Sequence, residues 1–206
     1  MRLYYSPLAC SLAAHIACRE AGLEVELVRV DLPTKRTANG GDLFAENPMG
    51  QVPTLKLEGG RTLTESVAVL SYLGDRVAKD AEGENDVYER TRWLSFVSTE
   101  IHKKVLWPIF AQSSPEEVKA YARVSAKRGL EVVAQRLGAG EALVGDAFTV
   151  ADAYLFWALM LMPHAGIDLE PFPGLGRFQA KHGKRESVRA ALAFEREEYG
   201  TAFAMT

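Results

Sequence analysis

The chain opens with a strand, a helix and a second strand within about thirty residues, and this order constrains the fold more than any other feature. An extended run over Arg2–Tyr5 ends at Ser6 and Pro7, and an apolar stripe of helical period follows it. Gly22 lies where the end of a helix commonly needs a left-handed residue. Val25–Leu32 has the composition of a strand. Two strands joined through a helix run parallel, so the sequence predicts a βαβ unit.

A hairpin and a second helix are predicted to complete the first domain. Lys35–Asn47 is polar and contains two glycines, which indicates a loop holding a short helix. The strand-like runs Val52–Leu57 and Thr62–Thr64 flank another pair of glycines, a strong hairpin signal. Ser66–Val77 then returns to helical periodicity. Residues 1–77 are therefore predicted to form an α/β domain.

The rest of the chain carries helical patterns. Residues 78–86 are small and charged without apolar periodicity, which is typical of an exposed linker between domains. Residues 87–206 are predicted to form an all-helical domain. Within it, Thr149 and Asp152 have the spacing of a capping box at a helix start, so Asp152 is interpreted as a capping partner and not as a catalytic acid.

Charge and hydropathy argue against several classes of partner. The 206 residues carry a formal net charge of −3 without a long like-charge block, so nucleic acid and anionic membrane are not expected as partners. Pro7, His15 and Arg19 interrupt the N-terminal apolar residues well before the roughly 20 that would span a bilayer. We therefore expect neither a signal peptide nor a transmembrane segment.

The two cysteines are predicted to remain unpaired. If Cys10 and Cys18 lie on one helix, their Cα atoms are about 12 Å apart, whereas a disulfide needs less than about 7 Å. Two free thiols fit a reducing cytoplasm, which is the expected localisation. His15, His164 and His182 lack the spacing of metal ligands, so no metal site is predicted.

Cys10 lies at the predicted turn from strand to helix, where unpaired N–H groups and the positive end of the helix dipole favour a thiolate. It is a candidate nucleophile or redox thiol, and the alternative is a small residue packed beneath the helix. A dithiol mechanism is excluded because the second cysteine of a C-x-x-C motif is replaced by Ala13. Redox chemistry at Cys10 would need an external thiol. Cys18 is predicted to belong to the core.

Two dipeptides in the first domain could hold a ligand. Pro53 is either an ordinary strand-opening proline or a cis proline, which would leave the backbone N–H and C=O of Val52 free to pair with a peptide-like ligand. Glu65 and Ser66 lie where the last strand gives way to a helix. Ser66 could bind a carboxylate while Glu65 holds an ammonium group, or Ser66 could only cap its own helix.

The predicted helix Val87–Leu106 has two contrasting faces. One is apolar, and the other gathers short hydroxyl residues and a histidine, namely Ser95, Ser98, Thr99 and His102. Such a surface indicates a ligand cleft or a partner helix. His102 is expected to titrate near neutral pH and could stabilise a sulfur anion; the alternative is a surface histidine. Tyr4 and Tyr5 alternate across the first strand, and core packing is predicted for both.

Five segments, in chain order, give the sequence a recognisable pattern: YYSPLACSLAAHIACRE, VDLPTKRTANG, NPMGQVPTL with TLTES, STEIHKK, and FTVADAYLF. Together they resemble the soluble glutathione transferases, and among these the bacterial beta class. The resemblance covers the chain from residue 1 to about residue 160 in the family's order. It implies a thioredoxin-like N-terminal domain of βαβαββα type, an all-α C-terminal domain, and a homodimer that binds glutathione in the cleft between domains.

The resemblance also implies roles in the first domain. Cys10 matches the beta-class cysteine beside the glutathione sulfur, with which it can form a mixed disulfide. Lys35 matches the residue that binds the glycyl carboxylate. Val52, with Pro53, matches the backbone clamp at the cis-proline. Glu65 and Ser66 match the pair that grips the γ-glutamyl end.

In the second domain, His102 matches the histidine that reaches the sulfur, which makes Cys10 and His102 the candidate catalytic residues. Thr99 and Glu100 match positions near the site that are partly reached across the dimer. Ser95 stands where beta-class enzymes usually carry asparagine.

The implied function is conjugation of reduced glutathione, as a co-substrate and without a prosthetic group, to small hydrophobic electrophiles, with thiol–disulfide exchange through Cys10 as a further activity. Trp107, Pro108 and Phe110 would line the electrophile pocket. Two alternatives stay open: a non-catalytic glutathione-binding or regulatory protein of the same fold, and a specialised glutathione-dependent dehalogenase or ring-cleaving enzyme.

Overall fold

The computed structural model of the protein describes residues 1–77, 84–138 and 140–204. The chain divides into two compact units, which are Met1–Lys79 together with Arg185–Thr206, and Asp80–Lys184. The first six residues of the predicted linker, 78–83, lie outside the described residues, and helix begins at Glu84.

The first unit combines a small sheet with helices. Its elements are β1 (Arg2–Tyr5), α1 (Ser11–Glu20), β2 (Glu26–Arg29), a 3₁₀ turn (Leu43–Ala45), β3 (Thr54–Lys56), β4 (Thr62–Leu63), α2 (Ser66–Val77) and the last helix, α8 (Glu186–Ala204). The strand order is β2-β1-β3-β4. β1 and β2 are parallel, and the other two pairs are antiparallel. The predicted βαβ unit and hairpin are both confirmed.

The strand directions bring several loops to one end of this sheet. Because β1 and β2 are parallel, the turn after Tyr5 and the loop after Arg29 leave the sheet at the same end. β3 runs the opposite way, so its first residue, Thr54, lies beside Tyr4 at that end too. The segments just before β3 and just after β4 therefore join the turn that carries Cys10.

The last helix belongs to the first unit, although the sequence assigns residues 87–206 to one helical domain. α8 packs against α1. Its Glu195 forms a buried pair with His15 of α1, and the Oε1–Nδ1 distance is 2.9 Å. A contact between residues so distant along the chain leaves no trace in local periodicity, so the helical pattern alone could not reveal it.

The second unit is helical. It contains α3 (Glu84–Phe96), a π-helical segment (Val97–Leu106), α4 (Trp107–Phe110), α5 (Glu116–Gly138), α6 (Val150–Leu161) and α7 (Pro173–His182). Among the described helices, none is both long and apolar enough to cross a bilayer.

The predicted capping box at the start of α6 is confirmed. Asp152 Oδ2 accepts hydrogen bonds of 2.8 Å from both the N–H and the hydroxyl of Thr149. The Thr149 hydroxyl accepts in turn from the Ala151 N–H at 3.2 Å. Asp152 Oδ1 accepts from the Leu143 N–H at 2.8 Å. Burial raises the pKa of Asp152, and the hydrogen bonds from Leu143 and Thr149 oppose that shift. The same hydrogen bonds anchor the first turn of α6.

Candidate active site

Cys10 lies in the turn between β1 and α1, directly before the first helical residue. Its side chain does not cap the helix. Ser11 closes the turn instead, because its hydroxyl accepts from the Ser6 N–H at 3.1 Å and donates to the Ser6 carbonyl at 3.2 Å. The Cys10 thiol therefore lies at the N-terminus of α1 without capping the helix.

The Cys10 thiol donates a hydrogen bond to the Val52 carbonyl, with an Sγ–O distance of 3.1 Å. The peptide bond between Val52 and Pro53 is cis. Within the described residues, the Val52 N–H donates no hydrogen bond. The Val52 side chain packs in a core cluster that Ala9 also contacts. Backbone N–H groups are usually paired, so this one beside a thiol suits an extended ligand.

A hydrogen bond from Leu8 connects the same turn to α8. The Leu8 N–H donates to Glu195 Oε2 at 2.7 Å, and Glu195 is fully buried. Arg19 Nε donates to His15 Nε2 at 3.0 Å, so the proton of His15 lies on Nδ1, which donates to the other Glu195 oxygen. Burial raises the pKa of Glu195, while the bonds from His15 and Leu8 oppose that shift.

Lys35 lies in the loop after β2 with a positive φ of 61°. Its N–H donates to the Asp31 carbonyl at 2.8 Å, and its carbonyl accepts from the Leu43 N–H at 2.9 Å. Its Cδ is 3.3 Å from the point where a side chain at Gly50 would begin, and Gly50 itself has φ +58°. No ion pair engages the Lys35 ammonium within the described part of the chain. The Lys35 side chain therefore packs beside Gly50, two residues before Val52, and its ammonium group is not neutralised by a described acidic residue.

Glu65 and Ser66 follow β4. Leu55 pairs with Leu63, and the same register continued by two residues sets Glu65 opposite Pro53. The Glu65 carboxylate is exposed and makes no ion pair among the described residues. Ser66 is the first residue of α2, and its hydroxyl forms no hydrogen bond in the described ranges, so it does not cap its own helix.

Backbone strain is concentrated in these segments. In the described part of the chain, the non-glycine residues with positive φ are Leu8, Lys35 and Glu65. A left-handed conformation costs such a residue about 1–3 kcal/mol, and strain of this kind clusters at ligand-binding sites. All three lie in segments that meet at the same end of the sheet.

His102, in the second unit, is buried and hydrogen-bonded. Its Nδ1 lies 2.6 Å from the Tyr154 hydroxyl, and its ring packs edge-on against Trp157 with centroids 4.7 Å apart. Burial, with a smaller contribution from the charge of Lys103, lowers the pKa of His102 to about 3. The expectation that it titrates near neutral pH is wrong, and so is the alternative of a surface histidine.

The residues of the predicted hydroxyl and histidine face differ in burial. Ser95 and Thr99 are exposed, and the Thr99 hydroxyl donates to the Ser95 carbonyl at 3.0 Å. The Glu100 carboxylate accepts from Lys104 Nζ at 2.8 Å. The face was deduced from the α-helical period, but the segment is π-helical and the Trp107 N–H donates to the His102 carbonyl. His102 is the buried member of this set.

The predicted site residues thus fall into two groups. Cys10, Lys35, Val52, Pro53, Glu65 and Ser66 lie in the first unit, at one end of its sheet. Ser95, Thr99, Glu100 and His102 belong to the second unit. No group of three or more side chains with metal-ligating atoms occurs in the residues that the structure describes.

Sequence reasoning missed Ser11, Glu195 and Tyr154. One signal for Glu195 was available, because it occupies the fourth position of an apolar stripe formed with Val188, Ala191 and Leu192. An acid at a core position of a helix needs a buried partner. Tyr154 had no such signal, since a tyrosine in an apolar helix is typical of core packing.

The fold and the thiol define the class of the protein: a thioredoxin-like domain with one accessible cysteine at the start of its first helix, followed by a helical unit. Two family models match the chain. The glutathione S-transferase N-terminal domain matches residues 9–76, and the C-terminal domain matches residues 87–184. The chain therefore belongs to the glutathione S-transferase family, and both the predicted family and the predicted fold class are confirmed.

Individual relatives agree. The chain is 40% identical to the glutathione S-transferase GstA of Escherichia coli O157:H7 over 95% of this chain and 98% of the relative. A sphingomonad glutathione S-transferase solved with glutathione has a TM-score of 0.89 at 42% identity, over 95% of this chain and 98% of that one. A beta-class glutathione S-transferase of Sphingomonas chungbukensis has a TM-score of 0.89 at 40% identity with the same coverage.

Proposed function

We propose that this protein binds reduced glutathione at the end of the sheet in its first unit and conjugates it to small hydrophobic electrophiles. One observation carries the proposal: the Cys10 thiol lies 3.1 Å from the Val52 carbonyl, beside a Val52 N–H that donates no hydrogen bond in the described residues. Membership of the glutathione S-transferase family supplies the identity of the tripeptide.

The cysteinyl residue of glutathione would pair with Val52 as an added strand. The Val52 N–H would donate to its carbonyl, and the Val52 carbonyl, which has a second lone pair beside the bond from Cys10, would accept from its N–H. This pairing would leave the glutathione sulfur near Cys10 and near the N-terminus of α1. The dipole of that helix favours a thiolate there.

The two ends of glutathione carry charges that the first unit complements. The glycyl carboxylate would bind the Lys35 ammonium, which has no ion pair in the described part of the chain. At the γ-glutamyl end, Glu65 would hold the ammonium group. Ser66, with its hydroxyl and the first N–H groups of α2, would hold the carboxylate.

The proposed roles in the second unit follow the family resemblance. His102 stays neutral at physiological pH, so its role would be that of a hydrogen-bond donor to the sulfur. Ser95, Thr99 and Glu100 would contribute polar contacts. Apolar surface suited to a hydrophobic electrophile is available in α4, where the exposed fractions of Trp107 and Phe110 are 51% and 47%.

Both proposed reactions, conjugation and thiol–disulfide exchange, depend mainly on a bound thiolate. The glutathione sulfur attacks an electrophilic carbon and forms a C–S bond, and the leaving group departs with its bonding electrons. In thiol–disulfide exchange, the Cys10 thiolate attacks a disulfide that contains glutathione, forms the Cys10–glutathione disulfide and releases the other thiolate. A second glutathione then restores Cys10 and leaves as oxidised glutathione. Cys18 cannot resolve the mixed disulfide because it is buried.

We further propose a cytoplasmic homodimer that detoxifies electrophiles. Neither cysteine forms a disulfide in the described part of the chain, which fits a reducing compartment. Phe44 and Met49 of the first unit are exposed to 51% and 65%, and exposed apolar side chains of this size suit an interface. Light scattering coupled to size-exclusion chromatography at micromolar protein would give twice the chain mass for a dimer, whereas a single chain mass would contradict it.

Steady-state assays of the purified protein test the function. With glutathione and 1-chloro-2,4-dinitrobenzene we expect saturable conjugation, and with glutathione and a hydroxyethyl mixed disulfide we expect exchange. Cys10→Ala should abolish exchange and keep part of the conjugation, while Cys18→Ala serves as the matched control. Glutathione binding without turnover of any electrophile would favour the non-catalytic alternative. Because 1-chloro-2,4-dinitrobenzene itself releases chloride on conjugation, a dehalogenase would be favoured by turnover of halogenated substrates together with no turnover of any halogen-free electrophile.

A further inference from the structure

Asn47 has a buried side-chain amide in the loop that leads to Val52, and its exposed fraction is 3%. Both the donor and the acceptor of this amide bind within the loop. Nδ2 donates to the Gln51 carbonyl at 2.9 Å and to the Thr54 hydroxyl at 3.0 Å, while Oδ1 accepts from the Met49 N–H at 3.0 Å. The side chain therefore connects the two ends of the loop across its interior.

The partners of Asn47 define which way its amide points. A backbone N–H can only donate, and a carbonyl oxygen can only accept. Turning the amide over would set its NH₂ group against the Met49 N–H and its oxygen against the Gln51 carbonyl, so both contacts would become repulsive. Asn47 is therefore the donor to the Gln51 carbonyl.

The Gln51 carbonyl accepts a second hydrogen bond, from the Thr54 hydroxyl at 2.8 Å. Thr54 is fully buried, as Asn47 nearly is. The two bonds use both lone pairs of the carbonyl oxygen. The carbonyl is thus held in one direction, toward two buried side chains.

The direction of the Val52 N–H follows from that of the Gln51 carbonyl. The two groups belong to one planar peptide unit, and the bond between Gln51 and Val52 is trans, so the N–H points opposite to the C=O. Because the carbonyl points toward Asn47 and Thr54, the Val52 N–H points away from them. This orientation agrees with the finding that the Val52 N–H donates no hydrogen bond to the described residues.

We infer that Asn47 and Thr54 are positioning residues that direct the Val52 N–H toward the backbone of glutathione. The inference rests on the proposed function for the identity of the tripeptide. Both residues act through the peptide unit, since their side chains are buried. Without their hydrogen bonds this unit would have to be ordered when the ligand binds, and the cost of ordering it would lower the affinity.

Two substitutions weaken the hold on the Gln51 carbonyl. Asn47→Asp keeps the shape and the acceptor for Met49 but sets an oxygen against that carbonyl. Thr54→Val keeps the shape and removes the hydroxyl, whereas Thr54→Ser retains the hydroxyl and should behave like the unsubstituted protein. Asn39→Asp is the matched control, because Asn39 is an exposed asparagine of the same unit whose Oδ1 accepts within its own turn.

The hold on the peptide unit can be measured without glutathione. In ¹⁵N relaxation by NMR, the Val52 N–H of the unsubstituted protein should have the order parameter of rigid backbone, about 0.85. The value should fall in Asn47→Asp and in Thr54→Val and stay unchanged in Asn39→Asp and Thr54→Ser. If Asn47→Asp does not fold, Thr54→Val decides. A mobile Val52 N–H in the unsubstituted protein, or a value that the substitutions leave unchanged, would overturn the inference.

Binding measurements separate positioning from general stability. Calorimetry would use glutathione and γ-glutamyl-2-aminobutyryl-glycine, which has the same backbone and a methyl group in place of the thiol. Asn47→Asp should weaken the binding of both ligands about tenfold, and Thr54→Val about fivefold. Because the backbone pairing is the same in the ground state and the transition state, the KM for glutathione should rise while kcat stays unchanged.

Two results of the binding measurements would overturn the inference. One is an affinity in both Asn47→Asp and Thr54→Val that matches Asn39→Asp. The other is a loss confined to glutathione, which would show that the substitutions act on the sulfur and not on the backbone. If the unsubstituted protein binds neither ligand, the proposed function fails, while the order parameter of the Val52 N–H still decides the role of Asn47 and Thr54.

Discussion

The Leu8 N–H donates a hydrogen bond of 2.7 Å to Glu195 Oε2, and this bond joins the turn before Cys10 to a helix 187 residues further along the chain. The second oxygen of the same carboxylate accepts from His15 at 2.9 Å. One fully buried side chain thus holds both the strained turn and the helix that follows it. The position of the candidate nucleophile depends on the C-terminal helix.

Glu195→Gln should lower the free energy of unfolding by about 2–3 kcal/mol, because the amide NH₂ would face one of two buried donors. Urea unfolding followed by circular dichroism measures the change. Glu197→Gln, an exposed change in the same helix, is the control and should alter the free energy by less than about 0.5 kcal/mol. Equal stability of the two variants would show that the Glu195 contacts contribute nothing.

The two cysteines should differ in reactivity. Burial raises the pKa of the Cys18 thiol to about 12, and its side chain is inaccessible, whereas Cys10 is partly exposed. Brief treatment of the native protein with iodoacetamide at pH 7, followed by peptide mass spectrometry, should label Cys10 alone. Both cysteines should react after unfolding in urea. Labelling of native Cys18 at a comparable rate would contradict the burial that separates them.

His102 should make the native state sensitive to acid. Its pKa falls from 6.5 to about 3 on folding, so between these values the unfolded chain binds more protons than the native one. The stability that this difference supplies is complete above pH 6.5 and is lost as the pH falls, by about 2 kcal/mol between pH 7 and pH 5. His102→Gln, which keeps a hydrogen-bonding partner for Tyr154, should remove that component from the pH dependence of urea unfolding. His164→Gln, an exposed change in the same unit, is the control, and equal slopes for the two variants would contradict the prediction.

Lys35→Gln and Glu65→Gln should each weaken glutathione binding about tenfold, because each removes the charge that would face one charged end of the tripeptide. Isothermal titration calorimetry measures the dissociation constant. Lys127→Gln and Glu58→Gln change side chains that are 78% and 90% exposed, and they serve as matched controls. The weakening at Lys35 should shrink at high salt. An affinity that matches the controls would remove the residue concerned from the site.

Local patterns predicted much of the first unit. The helix predicted over Ser66–Val77 has these bounds in the structure, and Gly22 has the left-handed φ of 62° expected after α1. The strands are shorter than predicted, since β2 covers Glu26–Arg29 where the sequence indicates Val25–Leu32. The strand-like sequence pattern continues beyond the last residue that is hydrogen-bonded in the sheet. A strand length predicted from the pattern alone is therefore too long.

The nonstandard backbone conformations were not predicted from the sequence. The π-helical winding after Val97 was not indicated by the apolar pattern, and the burial of His102 was not predicted. The positive φ of Leu8, Lys35 and Glu65 could not be anticipated, because such conformations are disfavoured for these residue types and persist only through their surroundings. Cys10, Lys35, Val52 and the Glu65–Ser66 pair were nonetheless selected for their chemistry and for the family resemblance, and the sheet brings their segments to one end.

A crystal structure of the protein with reduced glutathione tests the central claim most directly. The account predicts an extended tripeptide whose cysteinyl backbone pairs with Val52 and whose sulfur lies within about 4 Å of Cys10 Sγ. Lys35 should contact the glycyl carboxylate, and Glu65 with Ser66 should contact the γ-glutamyl end. Glutathione bound elsewhere, or a vacant sheet end at saturating glutathione, would contradict it.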